Sequence, residues 1–489
     1  MKKKILPAAI IVGLIILILG IIGISSLIRK YTPTKETEDL NKYFNISSED
    51  ESALIVDNTV SDSKAKLIDG KIYVDYNFVH DSLNSRFYWD ANENVLLYTT
   101  AADIVSAAAD SSTYTVTKQA NDFGYPIVKA TSSSALIALD YVKQFSNITY
   151  KSYDKPSRTV ITTSWGKIET ASTAKSTQLR VKGGIKSPIL KQVKKGESLT
   201  ILEKGTKWDK AASKDGIVGY IKASTLSDIK TTELKNNDYT EEAFTHIKKD
   251  KDICLAWHQI TNKSSNSKVA NVISSTKGVN VMSPTWFYLN DNNGGLADLA
   301  SKDYVNYCHS QGIEVWGLFS NLENKNVDAA SVLTHTSTRT TLINQIMSAA
   351  FNYELDGVNI DFENITKEAY GDSYIEFIRE LAIKCHNNGI SLSVDVTVPA
   401  SYNKFFNRAD MANFADYVII MGYDEHYNGS DAGSVASLPW VTTGLNDTLK
   451  EVPADQVILG MPLYTRIWEL TPKDADNPVT DTADQSQYN

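Results

Sequence analysis

The chain has 489 residues, of which 49 are basic and 58 acidic, giving a formal net charge of −9. At roughly 150 residues per domain, this length predicts about three domains. A content of 42% hydrophobic and 22% charged residues excludes wholesale disorder. The acidic balance argues against a nucleic-acid partner, because such proteins carry a strong basic excess. Three cysteines exclude a disulfide scaffold and a cysteine-based zinc cluster.

An uncharged apolar stretch, residues 5–27, follows three lysines at the start of the chain. A helix of this length spans the roughly 30 Å hydrocarbon core of a bilayer. A cleaved secretory signal is the alternative, but its apolar core is normally shorter and this one lacks a good cleavage site. We therefore expect residues 1–30 to be a single-pass transmembrane signal-anchor and residues 31–50 a polar linker. The bulk of the chain is expected outside the cell.

Residues 51–168 alternate short strands with short helices. Within them, segments 72–100 and 136–164 resemble each other: in each, a strand and a helix precede an aromatic residue followed by aspartate, Trp89-Asp90 and Tyr153-Asp154. This part of the chain resembles the small α+β module called the copper-amine-oxidase N-terminal-like domain. The name implies no copper here, since the residues include no histidine and cysteine ligand set.

Residues 170–230 have short strands rich in Val, Ile and Leu, separated by glycine turns, which predicts a small β-barrel. The segment resembles the bacterial SH3-like domain at Leu179-Arg180-Val181, Gly196-Glu197, Trp208 and Gly219-Tyr220-Ile221. Residues 179–228 contain eleven basic and five acidic residues, a charge of +6 that leaves −15 for the rest. Such a basic patch suits an anionic wall polymer or peptidoglycan as partner. The alternative is a lysine-rich surface that contacts only solvent.

From residue 248 onward, apolar strands alternate with longer helical patterns, as is typical of a parallel βα protein. Seven strands are predicted, near residues 253–260, 279–289, 313–320, 356–363, 390–398, 417–423 and 457–463. A TIM (β/α)8 barrel has eight strands and takes about 250 residues. The expected fold is thus an α/β TIM barrel at residues 248–489, C-terminally truncated so that its eighth strand is missing from this sequence.

The most informative segment is residues 356–363, Asp-Gly-Val-Asn-Ile-Asp-Phe-Glu. Because side chains alternate along a strand, Asn359, Asp361 and Glu363 share one face. Three buried polar groups without partners would cost several kcal/mol, whereas barrel enzymes place catalytic residues at the C-terminal ends of their strands. Two close carboxylates also raise the pKa of one of them, as a general acid requires. The alternative is the charged face of an exposed edge strand, which the apolar partner face disfavours.

This segment resembles the catalytic strand of family 18 glycoside hydrolases, which include chitinases and spore-cortex glucosaminidases. The resemblance implies that Glu363 is the general acid/base and that Asp361 orients the acetamide of the substrate. Asn359 stands where the family has a deeper aspartate and is counted with the substrate-binding candidates. Residues 317–320 read Gly-Leu-Phe-Ser in place of the Ser-x-Gly-Gly of true chitinases, as in the spore-wall branch.

Two further motifs extend the resemblance. Met421-Gly422-Tyr423-Asp424 is similar to the Met-x-Tyr-Asp motif of the sixth strand, and residues 460–468 resemble the seventh-strand region. The resemblance implies that Tyr423 donates a hydrogen bond to the acetamide oxygen. It also implies substrate-binding positions at Met421, Asp424, Tyr464 and Arg466.

The resemblance implies substrate-assisted retention, in which the N-acetyl group of the sugar replaces an enzyme nucleophile. The expected substrate is an N-acetylglucosamine-containing glycan, such as peptidoglycan, spore cortex or a chitin-like polymer, and no metal or cofactor is expected. A non-catalytic carbohydrate- or wall-binding protein on the same barrel is the alternative. An adhesion or sensor protein, in which the surface modules are primary, is a third hypothesis.

Isolated histidines and tryptophans give weaker signals. His258 and His426 lie near strand ends, where a structural role is favoured over a place in the cleft. The tryptophans at or near strand ends or in loops are equally compatible with sugar platforms and with packing; they are Trp257, Trp286, Trp316 and Trp440.

Overall fold

The computed structural model describes residues 5–365, 370–470 and 483–486. The lysines at positions 2–4 and most of the polar tail, 471–489, lie outside these ranges. The chain forms two compact units. The first comprises Met1–Asn84 and Leu136–Glu241, and the second comprises Ser85–Ala135 and Glu242–Asn489.

The α-helices of the described chain, in chain order, are α1 (Ile5–Tyr31), α2 (Leu40–Phe44), α3 (Tyr76–Ser82), α4 (Leu139–Gln144), α5 (Val269–Ser274), α6 (Lys302–Ser310), α7 (Ala329–Leu333), α8 (Thr336–Tyr353), α9 (Gly371–His386), α10 (Arg408–Phe414) and α11 (Leu438–Thr448). The strands of the N-terminal half are β1 (Glu51–Val56), β2 (Thr59–Ile68), β3 (Lys71–Asp75), β4 (Phe87–Asp90), β5 (Val95–Thr99), β6 (Ile104–Ala108), β7 (Thr113–Val116), β8 (Gln119–Asp122), β9 (Val128–Ala130), β10 (Ala135–Ala138), β11 (Thr149–Tyr153), β12 (Arg158–Thr162), β13 (Gly166–Thr173), β14 (Thr177–Arg180), β15 (Ile189–Val193), β16 (Ser198–Glu203), β17 (Trp208–Ser213), β18 (Val218–Lys222) and β19 (Leu226–Leu234). Those of the C-terminal half are β20 (Leu255–His258), β21 (Val281–Leu289), β22 (Leu296–Asp298), β23 (Glu314–Ser320), β24 (Gly357–Asp361), β25 (Ser391–Thr397), β26 (Tyr417–Met421), β27 (Val457–Gly460), β28 (Ile467–Leu470) and β29 (Ala483–Ser486).

Within the described residues, α1 is the one helix that is long and apolar enough to cross a membrane. Its segment Ile10–Tyr31 has a mean hydropathy of 2.9, and the protein buries none of it. Arg29 and Lys30 lie in its last turn, where basic side chains interact favourably with the helix dipole. Length and composition are compatible both with a membrane span and with a signal sequence.

Two sheets build the first unit. In one, the strands that belong to this unit have the order β11-β12-β1-β2-β3-β10, with β1 parallel to β12. The other has the order β15-β14-β18-β17-β16-β13-β19 and antiparallel pairs throughout. It contains the predicted β-barrel segment, 170–230. Ala53 and Ile55 from the first sheet share a hydrophobic core with Leu179 and Ile221 from the second.

Residues 31–50, expected as a polar linker, are ordered against the second sheet. Phe44 on α2 is fully buried in the core of the unit, and the hydroxyl of Tyr43 donates to the carbonyl of Val218 at 2.8 Å. Leu40, Tyr43 and Phe44 place three apolar side chains on one short helix in an otherwise polar stretch. Their burial explains why the segment docks.

The internal repeat is present as a repeated order of elements. Strand β3, helix α3 and hairpin β4–β5 match strand β10, helix α4 and hairpin β11–β12. The second hairpin joins the sheet of the first unit, whereas β4–β5 continues into the five-stranded meander β4-β5-β6-β7-β8 of the second unit. The expected module at 51–168 is therefore divided between the two units.

The meander packs against the barrel helix α9. The hydroxyl of Tyr88 lies 2.8 Å from that of Ser373, and Thr99 Oγ1 donates to Glu376 Oε1 at 2.7 Å. These contacts bury polar groups from both elements, so each group has its partner supplied by the other.

The barrel of the second unit contains all seven predicted strands. The strand order is β20-β21-β23-β24-β25-β26-β27, every neighbouring pair in this row is parallel, and β22 adds an antiparallel partner to β21. Strands β20 and β27 are the outer strands of the row in the described chain. Because the strands are parallel, the residues that end them meet at one end of the barrel.

Candidate active site

Strand β24 alternates as the sequence predicts. Val358 and Ile360 are fully buried among the barrel helices, and Phe362 stacks on Phe377 of α9 with ring centroids 5.5 Å apart. This apolar face fixes the strand against the helices. Asn359 and Asp361 therefore lie on the opposite face, inside the barrel.

Asn359 joins four strands through its side-chain amide. Its Oδ1 accepts hydrogen bonds from Trp257 Nε1 at 3.1 Å and from Ser283 Oγ at 3.0 Å. Its Nδ2 donates to Asp395 Oδ1 at 2.8 Å. An aspartate at position 359 would lose this donor and set a second carboxyl against Asp395. The asparagine is thus matched to its neighbour on β25.

Asp395 belongs to the candidate site but was not predicted from the sequence. It is only 2% exposed, and burial, followed by the negative charge of Asp361, raises its pKa well above the ordinary range. Burial therefore disfavours the ionised form of this carboxyl. A signal existed: Asp395 is the one charged residue in the strand Ser391–Thr397, which is otherwise buried and uncharged.

Asp361 ends strand β24 with an unsatisfied carboxyl oxygen. Its Oδ1 is buried and has no hydrogen-bond partner among the described residues. Burial raises the pKa of Asp361 to about 7, with contributions from the negative charges of Glu363 and Glu323. The group therefore exchanges its proton near neutral pH.

Glu363 lies two residues further on and is half-buried. Asn321 holds its backbone on both sides: Asn321 Oδ1 accepts from the Glu363 amide at 2.9 Å, and Asn321 Nδ2 donates to the Glu363 carbonyl at 2.8 Å. Burial raises the pKa of Glu363, as do the charges of Asp424 and Glu323. A carboxyl with a raised pKa can serve as a general acid. Asn321 and Glu323 were not identified from the sequence.

Tyr423 faces the same carboxyls from the end of β26. Burial, together with the negative charges of Asp395 and Asp361, raises its pKa. The phenol therefore keeps its proton and can donate a hydrogen bond. Met421 is buried at the end of the strand. Between them, a Cβ on Gly422 would lie 2.8 Å from the carbonyl oxygen of Gly460, so glycine is required for the close approach of β27.

Asp424 gathers the remaining predicted residues at the exposed mouth of the site. Its backbone is left-handed, with φ of 64°. Its Oδ1 accepts hydrogen bonds from the hydroxyl of Tyr464 and, at 2.5 Å, from Arg466 Nη1. Arg466 also donates to the His426 carbonyl at 2.9 Å. The two aromatic rings of Tyr423 and Tyr464 meet edge to face, 6.1 Å apart.

The histidine and tryptophan candidates divide into residues with a structural role and one residue at the site. His258 Nδ1 lies 2.9 Å from the hydroxyl of Tyr304, and burial lowers its pKa, in agreement with a structural role. Trp286 and Trp316 are fully buried and contribute packing. Trp257 is half-buried, and its ring lies edge-on to Tyr423 at 6.3 Å. It is therefore the tryptophan of the set that the structure brings to the site.

The site thus offers three carboxyls of raised pKa, a protonated phenol and the aromatic rings of Trp257, Tyr423 and Tyr464. Over the described ranges, no group of three or more His, Cys, Asp or Glu side chains is arranged to hold a metal ion. The arrangement suits proton donation and hydrogen bonding to a neutral polar substrate.

The family model described as "Glycosyl hydrolases family 18" matches residues 217–489, which is more than half of the chain. The chain belongs to glycosyl hydrolase family 18. The family 18 match contains every site residue named above.

Two of the relatives to which the chain is similar come from Bacillus subtilis (strain 168). The chain is similar to "Uncharacterized glycosylase YvbX", with 27% identity over 191 residues, covering 37% of this chain and 55% of that protein. It is similar to a "Cortical fragment-lytic enzyme" with 24% identity over 187 residues, covering 36% of this chain and 43% of that protein. The chain therefore spans only about half, or less, of the length of these curated relatives.

Among solved structures, the chain is similar to the Bacillus megaterium QM B1551 spore cortex-lytic enzyme SleL. The TM-score is 0.40 at 18% identity, and the match covers 60% of this chain and 70% of that one. A second match is the chitinase of Chromobacterium violaceum ATCC 12472, with a TM-score of 0.39 at 22% identity, covering 44% of this chain and 69% of that one.

Proposed function

We propose that this family 18 chain is a membrane-anchored glycosidase that cleaves N-acetylglucosamine-containing glycan outside the cell by substrate-assisted retention. One observation carries the proposal. Asp361 and Glu363, both with raised pKa values, lie two residues apart at the end of β24, and Tyr423 faces them.

In the first step, Glu363 donates its proton to the glycosidic oxygen while the bond from that oxygen to the anomeric carbon breaks. The carbonyl oxygen of the substrate's own N-acetyl group attacks the anomeric carbon and closes an oxazolinium ring. The raised pKa supports this role, since it keeps Glu363 protonated closer to neutral pH.

Asp361 and Tyr423 hold the acetamide during this step. The unpartnered Oδ1 of Asp361 accepts the acetamide N–H, which supplies the hydrogen bond that the described protein residues do not. Tyr423 donates to the acetamide oxygen. The negative charge of Asp361 then stabilises the positive charge of the ring where that charge develops.

In the second step, Glu363 is a carboxylate and removes a proton from water. The resulting hydroxide attacks the anomeric carbon and opens the ring, so the configuration at that carbon is retained and Glu363 regains its proton. No enzyme nucleophile, metal or cofactor takes part.

Peptidoglycan, spore cortex or a chitin-like glycan is the proposed substrate class. The mechanism requires an N-acetyl group beside the cleaved bond, and the name of one relative, the cortical fragment-lytic enzyme, refers to lytic action on cortex. Asp424 and Arg466 at the exposed mouth supply charged and hydrogen-bonding groups suited to sugar hydroxyls. Met421, Tyr464 and buried Asn359 complete the proposed substrate-binding set.

Two further parts of the chain support the proposal that this activity is at the cell surface. Helix α1 is the proposed membrane anchor, supported by its length and apolar composition. The SH3-like region is proposed to bind anionic wall polymer or peptidoglycan. Its support is a set of exposed lysines, which includes Lys194, Lys195 and Lys207.

The test replaces the carboxyl of Glu363 with an amide of nearly the same shape, which cannot act as the proton donor. Glu363→Gln is expected to slow the release of reducing ends from wall glycan by about 10²–10⁴-fold, the usual contribution of a general acid. Glu314→Gln is the matched control, because Glu314 begins β23 at the opposite end of the barrel. If Glu363→Gln cleaves as fast as the parent, or if the parent binds glycan without cleaving it, the enzyme proposal fails and the non-catalytic binding protein takes its place.

A further inference from the structure

The chain segment that follows α1 is an added edge of the second sheet. The Thr34 amide donates to the Ile185 carbonyl at 2.8 Å, and the Glu38 amide donates to the Ile189 carbonyl at 2.9 Å. In return, the Ile189 amide donates to the Glu36 carbonyl at 2.8 Å. The segment therefore runs parallel to β15 and pairs with Ile189, the first residue of that strand.

Very little chain separates this edge from the apolar helix. Helix α1 ends at Tyr31, so only Thr32 and Pro33 precede the first backbone hydrogen bond, which Thr34 makes to Ile185 in the loop that leads into β15. Two extended residues span at most about 7 Å. The loop that leads into β15 must therefore lie within one or two residue lengths of the end of the helix.

A buried arginine fixes this junction. Arg180 is 2% exposed and donates to the Ser187 carbonyl at 2.6 Å and to the Thr34 carbonyl at 3.2 Å. It thereby ties the incoming segment and the loop to strand β14. Because the guanidinium is buried and binds both carbonyls, it holds the segment at Thr34 against the loop at Ser187.

The loop at this junction is basic. Residues 181–187 read Val-Lys-Gly-Gly-Ile-Lys-Ser, and both Lys182 and Lys186 are exposed. Lys186 Nζ donates to the Thr32 carbonyl at 2.5 Å and also to the Arg29 carbonyl in the last turn of α1. Arg29 and Lys30 add two more positive charges at the same level of the helix.

We propose that the loop 181–187 is a membrane-contact surface that rests on the headgroups of anionic phospholipid at the outer face of the bilayer. This inference rests on the proposed anchoring by α1. The partner follows from the charge: four basic side chains lie around the point where the helix leaves the hydrocarbon. Anionic headgroups attract such juxtamembrane clusters.

The opposite end of β15 is the end farther along the chain from the contact with the segment that follows α1. The strand begins at Ile189, beside the segment that follows the helix, so the turn at Lys194 and Lys195 lies about 16 Å along the strand from this contact. That distance exceeds the screening length of roughly 8–10 Å at physiological salt. The sheet thus presents one basic end to lipid and leaves the other free for wall polymer.

The experiment uses the full chain in lipid nanodiscs, with exposed Cys254 replaced by Ser so that a single label site remains. A fluorophore at Gly184→Cys is compared with one at Lys195→Cys, using a quencher attached to lipid headgroups. Gly184 has open space for a side chain. In discs containing phosphatidylglycerol, quenching at position 184 is expected to exceed that at position 195 several-fold.

Charge variants make the comparison specific. Lys182→Gln/Lys186→Gln is expected to reduce quenching at position 184 at least twofold. The matched pair Lys194→Gln/Lys195→Gln, which removes the same charge, is expected to leave it unchanged. In discs of phosphatidylcholine alone, quenching at position 184 of the parent should fall as it does in Lys182→Gln/Lys186→Gln. Equal quenching at the two label sites, or indifference to charge and lipid, would overturn the inference.

Co-migration of the full-length chain with the discs is scored separately. A chain that migrates with the discs but whose loop is not quenched refutes the contact surface and leaves the anchor intact. A chain that does not migrate with the discs refutes the anchoring, and the contact surface falls with it.

Discussion

The buried carboxyl of Asp361 destabilises the folded chain, but its free oxygen is available to a substrate. Its Oδ1 is buried without a partner among the described residues, and Glu363 and Glu323 add negative charge around it. Ionising such a carboxyl is unfavourable, which is why burial raises its pKa to about 7. The folded chain therefore loses stability in order to hold a carboxylate in this place.

A pH-dependent stability difference is the expected consequence. The folded pKa of about 7 exceeds the unfolded value of about 3.9. Between these values the folded state binds more protons, so this group's contribution to stability falls as pH rises from about 4 to about 7. Asp361→Asn should therefore raise the free energy of unfolding by a few kcal/mol at pH 8, with no gain at pH 4.

Urea unfolding in detergent, followed by tryptophan fluorescence at pH 4, 6 and 8, measures this gain. Asp416→Asn is the control, because the Asp416 carboxylate is also buried but accepts backbone amides from Ile247 at 2.6 Å and Leu392 at 2.7 Å. That variant should be less stable than the parent. A gain for Asp361→Asn that does not change with pH would contradict the assignment.

The sequence predicted some residues of the site and not others for a physical reason. Asp361 and Glu363 follow from the alternation of a single strand, and Tyr423 from a short motif at the end of another. Asn321 holds Glu363 across 42 positions in the chain, and such a pairing depends on which loops meet at the barrel mouth. Asp395 could have been predicted from the sequence, because it is the one charged residue in an otherwise uncharged strand.

Helix α8 shows how the meander and the barrel form one unit. Asp90 of β4 accepts the Thr336 amide and hydroxyl, both at 2.6 Å, and so caps the first turn of the helix. On the same helix, fully buried Arg339 pairs with Glu380 of α9 at 2.8 Å and lies over the Tyr88 ring. Polar groups from three elements thus satisfy one another.

The repeated order of elements was predictable, because hairpins and short helices depend on local pattern. The sheet that each hairpin joins was not. Phe87 and Tyr98 are buried in the meander, while Ile161 of the matching hairpin is buried in the first unit, where β12 pairs with β1. Long-range burial decides this choice, and local sequence pattern does not encode it.

Removing one partner of the buried pair should be costly. Arg339→Met leaves the Glu380 carboxyl buried without its guanidinium, and a loss of about 3–5 kcal/mol in unfolding free energy is expected. Lys302→Met is the control, because Lys302 pairs with Glu354 at the surface at 2.8 Å and should contribute less than about 1 kcal/mol. Equal losses in the two variants, measured by urea unfolding, would show that the buried pair between α8 and α9 stabilises the fold no more than the surface pair does.

Across the whole molecule, the average composition conceals three regions of different character. The first is the apolar helix near the start of the chain, the second is the basic region 179–228 with a charge of +6, and the third is the acidic rest of the chain, since all residues outside 179–228 together carry −15. This order suits a protein that is held at a membrane, contacts anionic polymers and presents a barrel to neutral glycan. The seven barrel strands were predictable because each is a short apolar run between helical patterns. The docking of residues 31–50 against the second sheet was not predictable, since three apolar side chains are a weak signal.

The dependence of cleavage on the N-acetyl group tests the central claim most directly. The full chain is incubated with a β-linked N-acetylglucosamine oligosaccharide and with the same oligosaccharide after removal of its acetyl groups, and the products are identified by mass and anomeric configuration. We expect cleavage of the acetylated substrate with retention, and at least a roughly hundredfold slower reaction without acetyl groups, since the intramolecular nucleophile is lost. Equal rates on the two substrates, or an inverted product, would contradict substrate assistance at Glu363 and Asp361.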